Sequence, residues 1–103
     1  MLARVARYEV DSSRIDDAVN AFGEAAKEIE GLDGFAGGYV LVDHEDGRTM
    51  TVTLWENTAA LENSERVAGK ARREAASTVG GAVLSVEKFE IAQQLVAPRA
   101  SGV

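Results

Sequence analysis

An α+β domain with the element order β-α-β-β-α-β is predicted by three features of this 103-residue chain. Apolar residues alternate at two-residue spacing in four short stretches and recur at three- and four-residue spacing in two longer ones. The change from the first period to the second happens at two similar junctions, "YEVDSSRIDD" and "LWENTAALEN". Glycines or an Asp-Gly pair punctuate the other boundaries. At this length, with 46% apolar residues, the chain can bury one core and not two.

The first strand is expected over Leu2 to Val10, where Val5, Tyr8 and Val10 stand among arginines. Asp11, Ser12 and Ser13 follow as N-cap candidates, because their side-chain oxygens can accept the free amide hydrogens of a first helical turn. Ile15, Val19, Phe22, Ala26 and Ile29 then fall on one face of a helix that Gly31 and Gly34 stop. Phe35 to Asp43 and Arg48 to Glu56 read as the second and third strands, joined by "DHEDGR", whose Asp46-Gly47 is a hairpin-turn signal. Asn57-Thr58 caps the second helix, with Leu61, Ser64, Val67, Ala68, Ala71 and Ala75 facing inward. Gly80-Gly81 breaks the chain before the last strand, Ala82 to Ile91. Residues 1–91 thus form a single domain, and 92–103, which hold the sole proline, form a tail expected to be frayed.

The two junctions are a weak internal repeat. A shift of 46 residues lays Asp11 on Asn57, Ser12 on Thr58, Ile15 on Leu61 and Asp16 on Glu62. Two β-α-β halves with matching strand exits and caps produce a ferredoxin-like antiparallel sheet with two helices on one face. The second strand is apolar on both faces (Phe35, Gly37, Tyr39, Leu41 and Ala36, Gly38, Val40, Val42), and the centre of the third is uncharged on both. A sheet with one solvated face would alternate apolar with polar residues. A second copy of the chain, packed sheet to sheet, is the expected cover, so a homodimer is predicted.

Composition excludes several classes. Seventeen acidic against eleven basic residues give a net charge of −6, which argues against nucleic acid or anionic membrane as partner. The absence of cysteine removes disulfides, zinc ribbons, iron–sulfur clusters and thiol nucleophiles. The start "MLARVARYEVDSS" lacks an apolar stretch of signal-peptide length, and no run approaches the roughly 20 apolar residues of a membrane helix. A cytoplasmic location is expected. No G-x-S-x-G and no phosphate-cradling loop occurs, and Gly37-Gly38 inside a strand suits close backbone or partner approach instead. His44, the only histidine, sits in an acidic turn whose spacing matches no calcium or zinc motif, so no metal is expected. Arg66, Lys70, Arg72 and Arg73 on the second helix read as a solvated charged face, with an anion-binding patch as the alternative.

With "GFAGGYVLV" opening the second strand and "VTLWEN" closing the third into a helix, residues 3–91 resemble the dimeric α+β barrel superfamily, and within it the antibiotic-biosynthesis-monooxygenase-like group. The resemblance implies a pocket between the sheet and the helices of one subunit. It implies either a cofactor-independent monooxygenase, which oxidises polycyclic phenols to quinones with molecular oxygen and the substrate's own electrons, or a haem degrader. Haem degraders of the group use a helix histidine, a first-strand asparagine and a tryptophan ending the third strand. Only the tryptophan carries over, as Trp55; Ala6 stands at the asparagine position and the second helix has no histidine. Haem is therefore disfavoured and no cofactor is expected.

The function expected is a cofactor-independent monooxygenase acting on an aromatic or polyketide-like small molecule. The alternatives are a non-catalytic small-molecule-binding or stress-related member, or an isomerase, cyclase or decarboxylase using the same pocket. Trp55 is, with Arg7, a candidate catalytic residue and a candidate pocket wall stacking on a flat substrate, against the alternative of a packing residue at the strand–helix corner. Tyr8, Tyr39, Phe22 and Phe35 are further substrate-binding candidates. Arg7 is a candidate to stabilise an anion formed from the substrate, or else an ion-pair partner of Glu9 or Glu90. A base is harder to find: His44 is expected far from the pocket, and a carboxylate such as Glu9 would need burial to raise its pKa.

Overall fold

Backbone alternation and helical spacing assemble as expected. In the computed structural model, which describes residues 1–98, strands β1 (Leu2–Glu9), β2 (Phe35–Asp43), β3 (Arg48–Trp55) and β4 (Ala82–Glu90) form one antiparallel sheet in the order β2-β3-β1-β4. Helices α1 (Ile15–Ile29) and α2 (Thr58–Thr78) pack on one face of it, giving the ferredoxin-like α+β architecture. Three strands stop one residue short of the expected ends, at Glu9, Trp55 and Glu90. Residues 92–98 carry no regular structure, and the rest of the predicted tail lies outside the described residues. Among the described residues no helix is long and apolar enough to cross a membrane.

The two junctions both open on a side-chain cap but differ in what it starts, and α1 itself begins after Arg14 with no side-chain cap. The Asp11 carboxylate accepts from the Ser13 backbone N–H at 2.9 Å and starts a short 3-10 turn, Ser12–Arg14, before α1. Asn57 Oδ1 accepts from the Ala60 N–H at 2.8 Å and starts α2 directly. Gly34, at φ 80°, closes the Phe35–Trp55 corner; a β-carbon there would lie 2.3 Å from that of Ala60. The β2–β3 turn reverses at Gly47, and Gly80 ends α2, both at positive φ.

Helix phases differ from the expected stripes in two places. On α1 the buried residues are Ile15, Ala18, Phe22 and Ile29; Val19 is exposed and Ala26 half-buried, and Ala18 takes the inward place in the core with Ala6, Tyr8 and Phe22. On α2, Leu61, Ser64, Ala68, Ala71 and Ala75 are buried as expected, but Val67 points away and Gly69 is buried in addition.

Register sorts the sheet residues onto two faces. Arg4 opposes Thr53, Ala6 opposes Thr51 and Tyr8 opposes Thr49, so these share the helix-covered face with Trp55. The other face carries Ala3, Val5, Met50, Val52 and Leu54, joined by Tyr39 and Leu41 from β2 and Phe89 from β4. Tyr39 is 65% exposed there, and Leu41, Leu84 and Phe89 are also exposed. β3 is therefore inverted relative to an ordinary amphipathic strand, with threonines toward the helices and aliphatics outward.

The phase of α2 can be tested by truncation. Leu61→Ala should cost about 2–5 kcal/mol in urea unfolding, whereas Val67→Ala should stay within about 0.5 kcal/mol. Equal losses would mean that the helix is rotated from the position described.

Candidate functional site

A cavity of about 320 Å³ lies between the helix-covered face of the sheet and both helices. Its size falls in the lower part of the range for small-molecule sites, roughly 300–1,000 Å³. Tyr8, Phe22 and Phe35 supply aromatic walls, Ala25, Ile29, Ala68 and Ala71 supply helix walls, and Thr51 and Thr53 lie on the strand side. Gly38 is required beside Thr53: a β-carbon would come within 2.4 Å of the Val52 carbonyl oxygen. This is the close backbone approach that the strand glycines suggested.

The inward threonines of β3 organise the floor. Tyr8 Oη and Thr51 Oγ1 are hydrogen-bonded at 3.0 Å, and the Tyr8 ring packs on Phe22 with centroids 4.4 Å apart. Whichever hydroxyl donates in that bond, the other keeps a hydrogen to offer. Burial pushes the Tyr8 phenol above its ordinary pKa, while the Thr51 hydrogen bond and the charges of Arg72 and Arg4 pull the other way. The phenol is accordingly a neutral donor near neutral pH.

Arg4 went unrecognised in the sequence because it read as one more strand arginine. Strand alternation contains the signal: two and four residues before the inward Ala6 and Tyr8, it must face the helices. It is 2% exposed. Its Nη2 donates to the Leu61 carbonyl at 2.7 Å and to Ser64 Oγ at 3.0 Å, and lies 3.0 Å from Glu65 Oε2, within ion-pair reach though not aligned as a hydrogen bond. The guanidinium carbon stands 5.6 Å from the Trp55 ring centroid. Nε and Nη1 are buried without a hydrogen-bond partner. Burial pushes the Arg4 pKa down, Glu65 raises it and Arg72 lowers it; a guanidinium nonetheless stays charged. Arg72 Nη2 donates to Glu65 Oε1 at 2.5 Å, and both arginines line the cavity.

The candidate residues separate. Tyr8, Phe22 and Phe35 stand together on the cavity wall, whereas Tyr39 borders the cavity only along the β2 strand, its side chain lying on the open face and mostly in solvent. Trp55 is fully buried beside the cavity rather than on its lining, edge-on to Phe35 at 5.4 Å, with Nε1 donating to Thr53 Oγ1 at 3.0 Å. Arg7 lies on the opposite, open face, where its partner at 3.2 Å is Glu87, not Glu9 or Glu90. Glu9 is exposed on that same face, so burial cannot serve it; the carboxylate at the cavity is the exposed Glu30. His44 is exposed, 3.7 Å from Asp16. The basic group of α2 is divided: Arg66, Lys70 and Arg73 are solvated as expected, whereas Arg72 turns inward because the 3.6-residue period places it beside Ala68 and Ala71. Among the described residues no three His, Asp or Glu side chains cluster as a metal site. Since α2 offers no histidine and His44 lies in the β2–β3 turn, the donor set does not fit haem.

A family model described as antibiotic biosynthesis monooxygenase matches residues 1–68. The fold is shared with SnoaB from Streptomyces nogalater, a cofactor-independent oxygenase, at 16% identity and a TM-score of 0.72, over 91% of this chain and 95% of that one. It is shared with the haem degrader MhuD from Mycobacterium tuberculosis, which holds two haems in its active site, at 22% identity and a TM-score of 0.71, over 93% of this chain and 100% of that one. A conserved protein from Methanosarcina mazei has 12% identity and a TM-score of 0.68, over 85% and 89%. No curated protein matches the chain.

The raised Tyr8 pKa has a stability signature. The folded state holds the phenolic proton more tightly than the unfolded chain does, so the stabilisation present below the ordinary tyrosine value is lost as pH climbs through the folded one. Wild type should therefore lose more unfolding free energy than Tyr8→Phe between about pH 9 and about pH 11. Parallel losses would show that Tyr8 is not buried as described.

Proposed function

From the premise that the chain belongs to the antibiotic biosynthesis monooxygenase family, we propose that it is a cofactor-independent monooxygenase acting on an aromatic or polyketide-like phenol or enol held in the sheet–helix cavity. The observation that carries the reading is the hydrogen-bonded Tyr8–Thr51 hydroxyl pair set in an aromatic-walled cavity. The pair has one hydrogen left to donate, and a substrate oxygen that becomes anionic on losing its proton is the acceptor it suits. Phe22, Phe35 and the Tyr8 ring hold the flat ring system by area and edge contacts. Substrate ionisation releases a proton to water or to Glu30. The electron-rich carbon of the anion then reduces dioxygen and forms a carbon–oxygen bond. Loss of water from the resulting hydroperoxide converts a ring CH₂, or its enol tautomer, to a carbonyl; one oxygen atom stays in the product, the other leaves as water, and all electrons come from the substrate. Trp55 acts here as the support of Phe35 and Thr53 rather than as a contact.

The exposed aliphatic face supports a second element of the reading, a homodimer packed through the open sheet. The enzyme is read as cytoplasmic.

Three measurements test these readings. A hydroxylated polycycle at 100 times its dissociation constant should add about 2.7 kcal/mol of stability, and oxygen uptake should accompany product formation. Tyr8→Phe should lower kcat roughly a hundredfold with oxygen as co-substrate, and Ala25→Phe, which fills the cavity, should abolish the stabilisation. A stabilising polycycle without oxygen uptake would favour a binding protein, and no stabilisation by any phenol would end the reading. In light scattering the wild type should run at twice the chain mass, and Tyr39→Lys with Leu41→Lys at the monomer mass; a monomeric wild type would remove the dimer.

A further inference from the structure

Arg4, Arg72 and Glu65 form a side-chain cluster that the proposed oxidation does not use. Two guanidinium groups share one carboxylate: Arg72 donates to Glu65 Oε1 at 2.5 Å, and Arg4 Nη2 lies 3.0 Å from Oε2. Both arginines line the cavity, with side chains 3% and 10% exposed, while the Glu65 side chain is 44% exposed with its Oε2 turned in and buried. The helix makes room for this arrangement at Gly69, where a β-carbon would come within 2.9 Å of Glu65 Oε1 and 3.3 Å of Arg72 Nη2.

The cluster is one negative charge short. Glu65 neutralises one guanidinium, and the Nε and Nη1 groups of Arg4 have no acceptor at all. An unpaired buried cation is costly, and the natural remedy is an anion placed against it. Glu30, the carboxylate on the cavity lining, is exposed and forms no ion pair among the described residues. We propose that the ligand of this cavity carries a permanent oxyanion, a carboxylate in chemical class, received by Arg72 with the more deeply buried Arg4 behind it. Arg72 retains exposure and makes the first contact; Arg4 adds the second charge and is held in place by Leu61, Ser64 and the Trp55 face. The inference rests on the cavity being the ligand site, and narrows the substrate to an aromatic acid. It also sets orientation, since a ligand anchored by its carboxylate at the arginines presents another part of its ring system to the Tyr8–Thr51 hydroxyls.

The test is a matched pair of redox-inert probes, anthraquinone-2-carboxylate and anthraquinone-2-carboxamide, titrated calorimetrically into the full chain without turnover. Wild type should bind the acid at least tenfold more tightly than the amide. Arg72→Met should remove most of that preference while leaving amide affinity within about twofold, and Arg4→Met, provided it folds, should remove most of it as well. Lys70→Met, which deletes a solvated charge on the same helix, should change neither. Equal binding of acid and amide by the wild type overturns the proposal whatever the variants do, and leaves the oxidation reading standing. A preference that survives both arginine variants overturns it as well. Binding of neither probe overturns it together with the assignment of the cavity.

Discussion

A guanidinium sunk beneath α2 holds this molecule's layers in register. Arg4 leaves β1 near the middle of the sheet and spends both hydrogens of Nη2 on α2, at the Leu61 carbonyl and Ser64. Removing a cation from water is expensive, and only well-placed acceptors and a counter-charge make it tolerable. Those acceptors exist because Asn57 starts α2 where it does, putting Leu61, Ser64 and Glu65 on successive positions of one turn. Trp55 follows from the same constraint, since its ring lies against the guanidinium and closes the strand–helix corner with Phe35 and Leu61. Shifting α2 by one residue would turn each of these partners away.

The inversion of β3 links the interior to the exterior. Its threonines occupy the face that aliphatic residues usually fill, and Thr51 and Thr53 border a cavity instead of closing it. Small alanines on α2 and Gly38 on β2 keep that space open from the other sides. The displaced aliphatics, Met50, Val52 and Leu54, face outward with Tyr39 and Leu41. One strand thus produces a polar-floored cavity on one side and an uncovered apolar sheet on the other.

The likeness to SnoaB and MhuD, at 16% and 22% identity, is one of fold. Chemistry has to come from the side chains this chain places at the cavity: a hydroxyl pair, three aromatic rings and two arginines held by one glutamate. Sequence distance and shared architecture are compatible because the backbone frame depends on caps, turns and alternation, which tolerate wide substitution, while the cavity depends on the identity of a few inward residues.

The sequence by itself determined the element order, both caps, the turns and the apolar second face, because each is a local pattern: Asp11 and Asn57 before helical spacing, Asp46-Gly47 between strands, alternation in β2 and β3. It also singled out Tyr8, Phe22, Phe35 and Tyr39 as aromatics near the sheet–helix boundary, but only Phe22 by an inward stripe; the structure brings the first three to the cavity wall and leaves Tyr39 largely in solvent on the open face. Only the tertiary structure decided which arginine reaches the cavity. Arg4 and Arg7 differ by three residues, hence by one face of a strand, and a single frame of alternation sends one to the cavity and the other to Glu87. Arg72 is equally indistinct among its basic neighbours until the helix phase turns it inward, a phase set by the packing of alanines on the sheet. Trp55, conspicuous as the sole tryptophan, is walled off from the cavity by Phe35 and its bond to Thr53, contacts that join residues through the corner at Gly34. Local pattern specifies elements; which side chain shares space with which is a long-range outcome of how those elements pack.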